Sequence, residues 1–102
     1  MAATPEKKVK DKVRKALTEL GAYHFMPATH GYGTSGVPDI IGCYKGRMFA
    51  IECKAGNNKP TALQMKNLNA VAAAGGFAEV INEENIDDVR RMLERIDAER
   101  KH

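Results

Sequence analysis

Read for where apolar and polar side chains alternate, the chain opens on a helix and then changes period. From Thr4 to Leu20 the apolar residues Val9, Val13, Ala16, Leu17 and Leu20 recur at helical spacing. Thr4 suits the cap, Pro5 the first helical position, and Gly21 ends the run. Tyr23 to Ala28 is predicted as a short strand, and the glycine-rich stretch Thr29 to Val37 as a loop. From Val37 to Lys54 two apolar runs flank Lys45-Gly46, and a two-residue turn with Gly second predicts an antiparallel hairpin. Thr61 opens a helix running to about Ala74, where Gly75-Gly76 stops it. Phe77 to Ile81 reads as the last strand. Asn82 then caps a closing helix with Glu83 and Glu84 in its first turn and the stripe Ile86, Val89, Leu93 and Ile96, its end Glu99-Arg100-Lys101-His102 fraying. The predicted order is helix, three strands, helix, strand, helix: an α/β core with a mixed central sheet and helices on its faces.

The hairpin fixes a register with chemical consequences. With Tyr44 opposite Arg47, Cys43 falls opposite Met48, Ile41 opposite Ala50, and Asp39 opposite Glu52. Side chains alternate along a strand, so Asp39, Glu52 and Lys54 share one face. Two like charges set directly across a ladder destabilise it, so this pair needs a purpose. A divalent cation supplies one: Mg²⁺ takes one or two carboxylates and completes its shell with water and substrate phosphate oxygens. Lys54 then adds a positive charge beside a metal-bound water or a scissile phosphate. The alternative reading makes Lys54 an ion-pair partner of Glu52 or Asp39 at a sheet edge.

Pro38-Asp39, a gap of twelve residues and Glu52-Cys53-Lys54 resemble the PD-(D/E)xK nuclease signature. Adding Gly36-Val37 before Pro38, Ile40 after Asp39, and Gln64 about ten residues after Lys54, nearly the whole chain resembles the virus-type replication-repair nuclease (VRR-NUC) family of that superfamily. The resemblance implies a PD-(D/E)xK nuclease-like core of order αβββαβα and a Mg²⁺-dependent DNA endonuclease, with Mn²⁺ substituting. It implies catalytic roles for Asp39, Glu52, Lys54 and Gln64, and metal ligation by Glu6, Asp39, Glu52 and the backbone carbonyl of Cys53. Glu6 lies within the apolar stripe of the first helix; by spacing alone it is either a metal ligand or a first-turn acid complementing the helix dipole. Gln64 sits at capping-box spacing from Thr61, so it serves the helix end, the active site, or both. The family also implies DNA handled in replication, repair or recombination, often in phages or other mobile elements. One active site cuts one strand, so cutting a four-way junction or both strands of a duplex needs two copies. A homodimer acting on branched DNA is therefore expected, joined through the closing helix, the last strand or an apolar patch near Tyr32.

Composition narrows the field without choosing within it. The chain has 102 residues, 43% hydrophobic and 28% charged, as in an ordinary globular protein, and residues 1–102 read as a single domain. No apolar run is long enough for a bilayer and the N-terminus is charged, so an intracellular setting with no membrane partner is expected, and the family resemblance implies the cytoplasm of a bacterial or phage-infected cell. Cys43 and Cys53 fall on opposite faces of the hairpin, which argues against a disulfide, and zinc-type spacing is lacking. The net charge of +3 favours a polyanionic partner only mildly. Lys7, Lys8, Lys10, Lys12, Arg14 and Lys15 cover the outward faces of the first helix. They support a second class of function, a non-catalytic basic module that binds nucleic acid through this helix and the glycine loop. His24 is expected to be structural, and His30 a weak candidate for touching DNA.

Overall fold

A computed structural model describes residues 4–28 and 36–99. Its elements are α1 (Pro5–Glu19), β1 (Tyr23–Phe25), β2 (Ile40–Tyr44), β3 (Arg47–Cys53), α2 (Ala62–Ala73), β4 (Phe77–Ile81) and α3 (Asp88–Glu99). The glycine loop residues Gly31, Gly33, Thr34 and Ser35, with His30 and Tyr32, lie outside the described residues, as do Arg100, Lys101 and His102.

The strands form one four-stranded sheet in the order β1-β2-β3-β4. The first two pairings are antiparallel, and β4 runs parallel to β3 because α2 carries the chain back across the sheet. The sheet is therefore mixed, as the order of elements predicts. Lys45 and Gly46 both have positive φ (50° and 85°), the backbone that a tight hairpin turn of matching twist requires. That turn holds the register without slippage: Tyr44 opposes Arg47, Cys43 opposes Met48 and Ile41 opposes Ala50.

On one face of the sheet, Val9, Val13 and Leu17 of α1 and Val89, Met92, Leu93 and Ile96 of α3 close over Ile40, Phe49, Ile51, Cys53 and Ile81. On the other face α2 packs across β3 and β4, burying Leu68. Residues Phe49 to Cys53 of β3 are consequently buried on both sides. Tyr23 and Phe25 of β1, Cys43 of β2 and Met48 near the turn end of β3 are exposed on the α2 side of the sheet, the rings of Tyr23 and Phe25 6.3 Å apart.

Two boundaries differ from the expected ones. β1 ends at Phe25 rather than Ala28, two residues before Pro27, which has no N–H to give a ladder. The closing helix begins at Asp88, not beside Asn82. The Asn82 side chain instead accepts from the Glu84 N–H at 2.8 Å, while Asn85 accepts from the Asn82 N–H and donates to Val80 O and Asp88. These local bonds hold residues 82–87 in turns, the competition with helix that short polar side chains offer.

At the centre of β2, a Cβ on Gly42 would collide with the Phe49 ring and the backbone oxygen of Tyr23. Gly42→Ala is expected to destabilise the fold by about 1–3 kcal/mol through overpacking. Chemical denaturation reads this as a lower midpoint, and an unchanged midpoint would contradict the packing described. Among the described residues no helix is long and apolar enough to cross a membrane.

Candidate active site

The hairpin brings its two carboxylates to its open end. The β2–β3 ladder finishes where Ile40 pairs with Ile51, and Asp39, just beyond that last pair, lies close enough for its charge to act on the Glu52 carboxyl. Asp39 is pinned there because its Oδ2 accepts the Cys53 N–H at 2.8 Å. Gly36 guides the approach to it. Gly36 has φ of 93°, and a Cβ there would come within 2.9 Å of the Leu63 backbone, so the segment leading to Asp39 lies against the start of α2.

Among the described residues Glu52 is the one charged side chain that is buried, 2% exposed. Burial, and then the neighbouring Asp39 charge, push its carboxyl up to about 7, against the pull of Lys54. Its Oε1 is buried with no hydrogen-bond partner among the described residues, whereas Oε2 lies 3.4 Å from Lys54 Nζ. An orphaned carboxylate oxygen inside a fold costs free energy unless something cationic or hydrogen-bonding completes it. The Cys53 side chain points into the core, and burial followed by Asp39 and Glu52 pushes its thiol up to about 12. With its side chain in the core, Cys53 has only its backbone carbonyl to offer a cation.

Each carboxylate of the pair also has a lysine. Lys54 Nζ approaches Glu52, and Lys10 Nζ of α1 approaches Asp39 Oδ1 at 3.5 Å and Glu6 Oε2 at 3.8 Å. Glu6 therefore reaches the pair through Lys10. Among the described residues no three His, Cys, Asp or Glu side chains converge on a point where an ion could be held. The donors at hand are two adjacent carboxylates, one with an unpartnered oxygen, and a backbone carbonyl. That set fits Mg²⁺, which commonly takes few protein ligands and leaves the remainder to water and phosphate.

Gln64 completes the capping box: its Oε1 accepts the Thr61 N–H at 2.8 Å and its own N–H reaches Thr61 Oγ1 at 3.1 Å. Its side-chain amide N–H groups make no bond within the described residues, and α2 packs on the face of β3 that carries Glu52. The ring Nδ1 of His24 lies 3.2 Å from the Ala22 carbonyl, away from these residues.

In the sequence Lys10 is one of several outward-facing cations of the first helix. The signal available was its spacing: four residues from Glu6, it shares that residue's flank of the helix. Glu83, by sequence a first-turn acid of the closing helix, lies instead in the turns before it. Its Oε1 accepts the Gly56 N–H at 2.7 Å and so ties down the loop that follows Lys54.

A mixed four-stranded sheet, its elements in the order αβββαβα and helices on both of its faces, defines an α/β protein. More particularly, the fold is that of a VRR_NUC domain. A solved structure so described superimposes with a TM-score of 0.69 over 90% of this chain and 97% of that one, at 22% sequence identity. No family model matches the sequence. No curated protein matches it either.

Proposed function

We propose that this chain is a Mg²⁺-dependent endodeoxyribonuclease, with Mn²⁺ able to substitute. The observation that carries the reading is the buried Glu52 carboxyl facing Asp39, one oxygen unpartnered, with Lys54 beside it. For structure alone this arrangement is unfavourable; for holding a cation against a phosphodiester it is apt. Asp39 and Glu52 hold the ion, the Cys53 carbonyl adds a ligand, and Glu6 contributes through Lys10 or water. When bound, Mg²⁺ supplies a polarised phosphoryl oxygen and a water of lowered pKa. Lys54 orients the attacking water and stabilises the negative charge that grows on the phosphoryl oxygens. Gln64, its oxygen committed to the helix cap, offers its N–H groups to water or phosphate.

The substrate we propose is branched DNA, four-way junctions included, cut by a homodimer in replication, repair or recombination. The exposed strip of Tyr23, Phe25 and Met48 is described surface apolar enough for a two-fold contact. Nicking of plasmid and of a synthetic four-way junction is expected in Mg²⁺ or Mn²⁺, absent in EDTA and absent for Asp39→Ala. Cleavage that persists in Asp39→Ala would place the activity elsewhere. Light scattering that shows a monomer at micromolar concentration, with no preference for branched over linear DNA, would remove the junction reading.

A second reading, a basic module that binds nucleic acid without cutting it, draws on Lys8, Lys12 and Arg14, all exposed and without ion-pair partners among the described residues. It expects steeply salt-dependent binding that is indifferent to divalent ions.

A further inference from the structure

Lys10 stands apart from the other cations of α1. Its side chain is 29% exposed, and its Nζ lies between Glu6 Oε2 at 3.8 Å and Asp39 Oδ1 at 3.5 Å. Lys7 and Lys15, by contrast, pair with Asp11 and Glu19 of their own helix. Among the described residues, Lys10 is thus the cation that links the helix acid Glu6 to Asp39. Resting on the nuclease reading above, we infer that Lys10 is a fixed cation of the active site, standing where a second divalent ion would need to bind, so that the site takes one ion.

Two-metal phosphodiesterases set their ions about 4 Å apart with carboxylates shared between them. A first ion would be held by Asp39, by the Cys53 carbonyl and by Glu52, whose Oε1 is unpartnered among the described residues. A second would have to draw on the remaining carboxylate, Glu6, and on Asp39 Oδ1, and the Lys10 ammonium already faces both. Charge argues the same way. Glu6, Asp39 and Glu52 bring three negative charges against the two positive charges of Lys10 and Lys54, so one divalent ion reverses the local excess and a second would face strong repulsion. Lys10 lies on the core-side flank of a capped helix, so its position is set by the docking of α1 and not by its flexible stem alone. Glu6 then acts on the single ion at second hand, by holding Lys10 in place.

Isothermal titration of the full chain with MnCl₂ and with MgCl₂, compared with Lys10→Met and Lys10→Arg, tests this without reference to cleavage. The wild-type protein and Lys10→Arg are expected to bind one ion per chain. Lys10→Met, in which Glu6 and Asp39 lose the ammonium, is expected to bind two, the second at least tenfold more weakly. Met is a good helix former, and a melting curve in EDTA checks that the variant is folded. Two ions in the wild type, or one in Lys10→Met, would overturn the inference and leave the nuclease reading standing. No binding by any of the three proteins would overturn both.

Discussion

Lys54→Ala is expected to slow Mg²⁺-dependent cleavage by about 10²- to 10³-fold while the protein keeps its fold and its ability to bind the ion, the loss typical of removing one preorganised group from a developing charge. Lys54 is 14% exposed and sits 3.4 Å from a carboxylate that is itself buried, so its ammonium is held close to the proposed phosphate position by surroundings that exclude much of the water. The effect belongs in the chemical step, so single-turnover rates should fall with little change in DNA affinity. Removing the ammonium also takes away the group that pulls the Glu52 carboxyl downward. The variant should therefore lose stability relative to wild type at pH 8 and match it near pH 5, where Glu52 is protonated in both. Cleavage within threefold of wild type would reduce Lys54 to an ion-pair partner.

Glu52→Gln is expected to trade function for stability. In the metal-free protein Glu52 is raised from 4.5 to about 7, so between those values the folded state binds a proton that the unfolded state has released. Stability conferred by the neutral acid is therefore complete below about pH 4.5 and lost as pH rises through about 7, with a cost at pH 8 of about 3 kcal/mol at most. Glutamine cannot ionise. The variant should be about 1–3 kcal/mol more stable than wild type at pH 8 in EDTA, less any penalty from leaving Lys54 without its partner, and near parity at pH 4.5. Mg²⁺ should stabilise the wild type at pH 8, leave Glu52→Gln unmoved, and release close to one proton per ion bound near pH 6. Cleavage should be absent. Thermal melts at pH 4.5 and 8, with and without Mg²⁺, check each arm. A wild type whose stability is flat across that range would show that Glu52 does not carry the burial penalty described.

Much of the site was legible because its ingredients are local. A two-residue turn at Lys45-Gly46 pins the register from Tyr44 opposite Arg47 to Ile40 opposite Ile51, which brings Asp39 to the end of the ladder where Glu52 and Lys54 meet. The caps of α1 and α2 were equally readable, since Thr4 and Thr61 need only their own following turn to bond. The start of α3 was not. Asn82, Asn85 and Asp88 are all competent to cap, and the choice fell to a network in which Asn85 reaches back to Val80 O at the end of β4. Lys10 was hidden for a different reason. It is one of six cations between Lys7 and Lys15, and which of them meets Asp39 depends on how α1 lies across the sheet.

By itself, then, the amino-acid order determined the mixed αβββαβα architecture and the pairing of two acids with a lysine, because turns, caps and strand period act over a few residues. The packing of α1, α2 and α3 around β3 decided the rest. It buried Glu52 and left its Oε1 unpartnered, drove the Cys53 thiol into the core, and carried Lys10 to Asp39. Desolvation and charge proximity depend on what covers a residue from afar, and no spacing along the chain encodes that directly.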